Sequence, residues 1–309
     1  MRDLDLVVVG YPDHLVADHA ALVGAARGRG WTAEVVHPSR LALAVDAAGA
    51  RVLVDGVECR PRAALPRGVN RPWPFVRQVL DLWARAGTVV VPSVAGAEVC
   101  SDKLASTVRL AAAGVPVLAT LGVVPGDGVT IDDAVVGTGA LVSKPARGSK
   151  ARGVERHVGA ALAAADLGQR RPLVDDTVDH RVVQALATGA GHDLRVVVAR
   201  RGLGAEAVAV TRRTAPAGSF VTNLPGATYA DEPPGTRLHA EAAAVATAAV
   251  DALGLDVGGV DLIEHDGSLV VLEVNAWPGL AAEVRGPAIA EALVDVVAGA
   301  LDRRLAAVA

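Results

Sequence analysis

Near the C-terminal end the run VVLEVN closes on Glu273 and Asn275, two residues apart and therefore on one face of any strand they share. Asp261, in GGVDLIE, sits on the preceding apolar run, across an Asp266-Gly267 turn signal. Two carboxylates and an amide oxygen are hard donors that suit Mg2+, with Mn2+ as the alternative, and Mg2+ held this way also takes phosphate oxygens as ligands. A regular two-residue turn would set Asp261 opposite Leu272 and send Glu273 to the other face. Convergence therefore requires a loop with an odd number of residues, such as three with Gly267 left-handed, or a bulge.

A metal that holds phosphate needs cations beside it, and the chain offers Lys103 and Lys144. Lys144 precedes PARGSKARG, where Gly148, Ser149 and Gly153 belong to a small polar loop able to bring backbone N–H groups against phosphate. Neither GxxxxGK[ST] nor GxGxxG is present, so this is not a P-loop or a dinucleotide fingerprint. In LPRGVNRPW, Arg67 and Arg71 carry planar forks that suit a substrate carboxylate. His192 adjoins Asp193, but neighbours on a strand face opposite ways, which argues against an acid-base pair.

These residues must be held by elements that the 309-residue chain, half of it apolar, is long enough to build as two or three domains. A net charge of −4 with mixed signs gives no basic field for nucleic acid and no cationic membrane face. MRDLDLVVVG has too short an apolar run for a signal peptide and nothing later approaches a span, so a cytoplasmic protein is expected. Cys59 and Cys100 form no CxxC or zinc spacing and read as bystanders. LDLVVVG, a helical pattern over 14–29 and WTAEVV give the strand, helix, strand rhythm of a parallel sheet. A hairpin in RVLVDGVECR, a strand in AALP, a helix in PWPFVRQVLDLWARAG and a strand in TVVVPS complete a first domain near residue 97. SDKLASTVRLAAAGV reads as a capped helix. Beyond it come strand, loop, strand and helix through 140–168, strands over 181–187 and 193–211, a loop over 212–226, a helix over 236–253, a hairpin and a final helix from about Pro287.

From about Ser101 to Leu280 the order of these pieces resembles the ATP-grasp superfamily, and within it the RimK-type amino-acid ligases. DKLASTVRLAAAGVPV is similar to the family's helix with a phosphate-binding lysine, and LVSKPARGSKARGV to its second lysine and phosphate loop. RVVQALA stands in the place of the adenine hinge, HDLRVVV in that of an Asp-x-Arg strand, and VTRRTAPAGSFVTNL in that of a substrate-side loop. GVDLIE with LEVNAWPGL matches the metal motif most specifically.

The resemblance implies an α/β (α+β) ATP-grasp fold, with an N-terminal α/β domain over 1–97, a central subdomain over 98–187, a C-terminal subdomain over 188–309, and the ATP cleft between the last two. It places Lys103, Lys144, Gly148, Ser149, Gly153, Gln184, Ala185, Leu186 and Asp193 on ATP, and Asp261, Glu273 and Asn275 on Mg2+. Arg195 and Arg212 fall near the transferred phosphoryl group and the acyl substrate, with Arg67, Arg71, Arg213 and Asn223 on the substrate side. Gln184 is followed by Ala185, Leu186 and Ala187 where the family carries acidic and aromatic residues, and Asn223 by Leu224 and Pro225 where it has a basic residue. The implied activity is ATP-dependent joining of an amino acid or small carboxylate, glutamate leading, to an amine through an acyl phosphate. The alternatives are a small-molecule kinase and a non-catalytic ATP-binding module. Small carboxylate and amine substrates, no nucleic acid or membrane, and a homodimer or homotetramer complete the expectation.

Overall fold

β1 (Leu6–Val9), α1 (Val16–Gly28) and β2 (Ala33–Val36) form the expected parallel unit. They belong to a computed structural model that describes residues 4–47, 49–69, 72–148, 151–170, 180–202, 204–280 and 287–308. Every residue of β1 is buried, which is why LVVV runs apolar without alternation: both faces of a parallel strand are covered. β3 (Leu41–Asp46), β4 (Gly49–Val54) and β5 (Val57–Glu58) make a separate antiparallel sheet. The hairpin over 51–60 is thus β4 and β5, and β3 adds a strand beyond the sequence reading.

β6 (Ala63–Pro66) returns beside β1, and α2 (Trp73–Ala86) leads to β7 (Val89–Val90), giving the order β2-β1-β6-β7. Two short helices come next. α3 (Val94–Cys100), absent from the sequence reading, is capped by Ser93. α4 (Lys103–Ala112) is capped by Asp102, whose carboxylate accepts from the N–H groups of Leu104 and Ala105 at 2.9 and 3.1 Å. The cap fixes Lys103 as the first residue of its helix.

β8 (Thr120–Val123), α5 (Asp133–Val136), β9 (Ala140–Pro145), β10 (Glu155–Val158), α6 (Ala160–Gly168) and β11 (Arg181–Ala185) build a central antiparallel sheet in the order β10-β9-β11-β8. β12 (His192–Arg201), β13 (Gly204–Thr214), β14 (Thr228–Asp231), α7 (Arg237–Ala252), β15 (Val257–His265) and β16 (Ser268–Asn275) form the last sheet, in the order β14-β13-β12-β15-β16. α8 (Ala288–Val308) ends the chain. β13 runs to Thr214, three residues into the stretch read as a loop, and β14 adds a short strand between that loop and α7.

Burial shows how the sheets are joined. One apolar cluster runs from Val7 and Trp83 in the N-terminal part to Leu194, Val250 and Val274 around the last sheet. A second connects Leu22 on α1 with Leu293 on α8 and Val197 on β12. The central sheet has its own small core, with Leu141, Leu167 and Val183. It meets the last sheet through a cluster of Leu118, Ala187, Ile263 and Val270. Among the described residues no helix is long and apolar enough to cross a membrane.

Candidate active site

A cleft of about 950 Å3, open solvent included, lies between the central and last sheets. Its floor depends on the register of β15 with β16. The hairpin turns on two residues, Asp266 and Gly267, both with positive φ (50° and 78°), and His265 pairs with Ser268. A regular ladder from that turn would oppose Asp261 to Leu272. Instead the register shifts between Asp261 and Leu262, Leu272 is the extra residue, and Asp261 pairs with Glu273. The parity required by the sequence is met by a bulge, the second of the two solutions. Gly259 pairs with Asn275 two positions along, so Asp261, Glu273 and Asn275 share one face.

On β12 and β13 the same face carries Asp193, Arg195 and Arg213. Arg195 grips Asp261 through Nε and through Nη2 at 2.9 Å. Arg213 donates to Asp193 at 2.6 and 2.5 Å and lies 3.1 Å from Asp261. Thr222 donates to Asp193 at 2.5 Å. Burial pushes the Asp261 carboxyl up, but Arg195 and Arg213 more than offset this and hold it below the usual carboxylate range.

The cations expected for phosphate face this floor. Lys103 donates through Nζ to the Gly148 carbonyl at 3.0 Å and lies 3.8 Å from Glu273. Lys144 is 7% exposed, and its Nζ has a distant acceptor, the Leu272 carbonyl at 3.4 Å on the bulge. Burial lowers its pKa to about 8, although Glu273 pulls the other way. The wall also carries apolar residues, Leu118, Val142, Leu186, Phe220, Ile263 and Leu272, of which Leu118, Ile263 and Leu272 pack in one cluster. Ala185 and Leu186 line it with Gln184, whose amide is committed to Thr120 Oγ1 at 2.8 Å.

Behind the phosphate loop, Arg181 donates to the Gly153 carbonyl at 2.6 Å and to Ser143 Oγ at 3.1 Å. Ser143 also bonds His157 Nε2 at 2.8 Å, and His157 Nδ1 bonds Asp166 at 2.9 Å. The order Ser, His, Asp is that of a hydrolytic triad, yet Ser143 is wholly inaccessible. The network braces the loop from the rear.

The sequence expectations sort accordingly. Lys103, Lys144, Gly148, Gln184, Ala185, Leu186, Asp193, Arg213, Asn223, Asp261 and Glu273 line the cleft. Gly153 is not on its wall and serves as the acceptor for Arg181. Arg195 stands behind Asp261. Ser149 and Arg71 lie outside the described residues. Two placements are corrected. Arg212, expected at the phosphoryl group, sits within β13 and so faces away from Arg213, paired with Glu232 at 2.8 Å. Arg67, expected on substrate, is buried and donates to the Pro278 carbonyl at 2.6 Å and to Asp18 at 3.4 Å. Arg152, Phe220, Thr222 and Leu272 line the cleft without having been singled out from sequence. Of these, Arg152 had the clearest signal, a cation inside the glycine loop. Cys59 and Cys100 form no disulfide among the described residues, and burial pushes the Cys100 thiol up to about 12.

Two carboxylates and an amide oxygen are the donor types Mg2+ takes, although both oxygens of Asp261 are already held by Arg195. Among the described residues no group of three or more His, Cys, Asp or Glu is placed for a metal, so the set rests on two carboxylates and an amide. Asn275 shares the strand face of Glu273 but does not line the cleft; its buried Nδ2 has no partner among the described residues and, being a donor, leaves any ligation to Oδ1.

A cleft with paired lysines over a carboxylate floor, set between two antiparallel sheets, is the arrangement expected of an ATP-grasp protein. A profile of the RimK-like ATP-grasp domain matches residues 154–297. A probable alpha-L-glutamate ligase of Stenotrophomonas maltophilia (strain K279a) is 31% identical over 271 residues, covering 84% of this chain and 86% of its own. A protein of the same description from Pectobacterium carotovorum subsp. carotovorum (strain PC1) is 28% identical over 270 residues, covering 83% and 82%. The fold is that of the ATP-grasp ligase PsnB with a minimal precursor (TM-score 0.64, 24% identity, 96% of this chain and 100% of that one). It is also that of D-alanyl-alanine synthetase A from Vibrio cholerae (TM-score 0.71, 14% identity, 98% and 99%). The chain belongs to the RimK-like ATP-grasp family.

Proposed function

We propose that the protein is an ATP-dependent carboxylate-amine ligase, with glutamate or a similar amino acid as the leading substrate class. The terminal phosphoryl group of ATP passes to a substrate carboxylate, and an amine displaces phosphate from the acyl phosphate to leave an amide. The observation that carries this reading is the placement of Lys144 and Lys103 across a narrow cleft from Asp261 and Glu273.

A buried lysine with one weak acceptor is a poor resting arrangement and a good phosphate receptor, because an anion beside it restores the charge that burial disfavours. Lys103 is held at the head of α4, where the helix N-terminus adds positive potential. Arg195 and Arg213 keep Asp261 ionised and fixed in direction. The apolar cluster on the wall takes a purine ring, with the backbone of 185–187 supplying polarity that Gln184, tied to Thr120, does not. Asp261, Glu273 and Asn275 would hold Mg2+, which when bound neutralises phosphate oxygens. Positioning and charge supply the catalysis, and no side-chain nucleophile is needed.

Names among the relatives support glutamate as acyl or amine partner. Phosphate release with paired amino acids, together with mass analysis of products, tests the reading. An amide product formed with stoichiometric ADP and phosphate is expected. ADP release with one substrate and no amine dependence would make the protein a kinase, and ATP binding without turnover across amino-acid pairs would refute the ligase.

A further inference from the structure

The segment that leaves the floor, Asn275 to Leu280, is tied down by the N-terminal part of the chain, and we propose that Arg67 and Asp18 are positioning residues for the metal site. This rests on the assignment of Asn275 as a metal ligand. Arg67 sits just beyond the end of β6, its side chain 1% exposed. Its Nη2 donates to the Pro278 carbonyl at 2.6 Å and to Asp18 on α1 at 3.4 Å. The same Asp18 oxygen accepts from the Leu280 N–H at 2.9 Å. Two backbone groups of one six-residue segment are therefore held by one buried ion pair.

The rest of the segment is fixed with equal firmness. Trp277 meets Trp73 of α2 edge to face, ring centroids 4.8 Å apart. Pro278 packs over Gly259, where a Cβ would stand 2.7 Å from the proline Cβ and 3.3 Å from an Arg195 nitrogen. Gly259 is the cross-strand partner of Asn275, so this close approach needs a residue without a side chain there. Leu280 is fully buried against the apolar cluster that includes α1 and α8. Asn275 is the last residue of β16, and only its ladder on one side fixes it within the sheet. The direction of its amide depends on where residues 276–280 are anchored. A guanidinium buried this deeply has no route to a substrate carboxylate, and its charge is already matched by Asp18.

Partners of metal ligands, though they touch no metal, typically change affinity 10–100-fold when removed. The test uses the full chain and Mn2+ with ADP as the probe, read by electron paramagnetic resonance titration. Because Arg67→Met alone strands a buried carboxylate, the main variant is the double Arg67→Met/Asp18→Asn, which removes both charges and keeps an acceptor for Leu280. Arg67→Lys is measured beside it. Leu80→Ala, in the core of α2, serves as a variant that lowers the melting temperature without touching the segment. The expected result is a 10–100-fold rise in the Mn2+ dissociation constant for the double variant. A smaller rise is expected for Arg67→Lys and none for Leu80→Ala at temperatures where all remain folded. Unchanged Mn2+ affinity with a raised KM for the amino acid would overturn the proposal and return Arg67 to the substrate. Absence of Mn2+ binding by the unaltered protein would overturn the metal assignment itself, and the proposal with it.

Discussion

Replacing Lys144 with Met should stabilise the unliganded protein at neutral pH while abolishing nucleotide binding. The lysine lies against the bulge carbonyl of Leu272 with little water around it, and burial brings its pKa from 10.5 down to about 8. A fall of that size means the folded state disfavours the charged form by roughly 3 kcal/mol. The sign comes from proton counting. Below pH 8 the group is charged in both states and the full penalty stands. Between about 8 and 10.5 the unfolded chain binds the proton more strongly, so stability rises with pH until the penalty is gone. Met has similar bulk and no charge, so the variant should start up to about 3 kcal/mol more stable at pH 7 and lose most of that lead by pH 10. Urea unfolding of both proteins at intervals from pH 6.5 to 10 isolates the effect, because other titrations cancel in the difference. Mg-ATP should raise the midpoint of the unaltered protein and leave Lys144→Met unmoved. A variant less stable than the parent at pH 7, or a difference flat with pH, would refute the reasoning.

The two neighbouring arginines give a second test: Arg213→Met should destabilise by about 3–5 kcal/mol by stranding buried carboxylates, whereas Arg212→Ala should cost less, because Arg212 is half exposed and its partner Glu232 keeps the bond from Thr236, both read by urea midpoints. Glu273→Ala should abolish amide formation in the product assay while leaving the melting temperature close to that of the parent, since the side chain is only partly buried and serves charge rather than packing. Gly259→Ala should cost about 1–3 kcal/mol through the clash with Pro278 and weaken Mn2+ binding; a variant with parental stability and metal affinity would contradict the close approach.

The shared face of Asp261, Glu273 and Asn275 was legible because strand alternation is rigid: two residues apart means one face, and the turn signal left only an odd loop or a bulge for Asp261 to reach Glu273. Which of the two occurs was not legible, since a bulge is chosen by packing of Leu272 against the cleft and by twist, neither of which has a local sequence mark. Arg212 was misplaced for a related reason. Read as loop, VTRR has no faces, and only the extension of β13 to Thr214 lets alternation choose Arg213 over its neighbour. Arg67 was read by residue type alone. Its partners, Asp18 and Pro278, lie 49 and 211 residues away in sequence, and no pattern in LPRGVNRPW points to either. α3 escaped because seven residues of mostly Val, Ala and Gly carry too little periodicity to separate helix from loop.

The apolar contact between the central and last sheets is the small cluster of Leu118, Ala187, Ile263 and Val270, with Leu272 against it, and a backbone bridge of Val117 with Val271 runs beside it. The central sheet has only a small core of its own, so it can open at lower free energy than global unfolding requires, and amides of β8 to β11 should exchange with solvent ahead of those in β12 and β15. Leu118, Ala187, Ile263 and Leu272 also line the cleft. A purine seated there would act as mortar in the joint, adding apolar contact to both sides at once. The frequency with which the two sheets part would then become a function of nucleotide concentration.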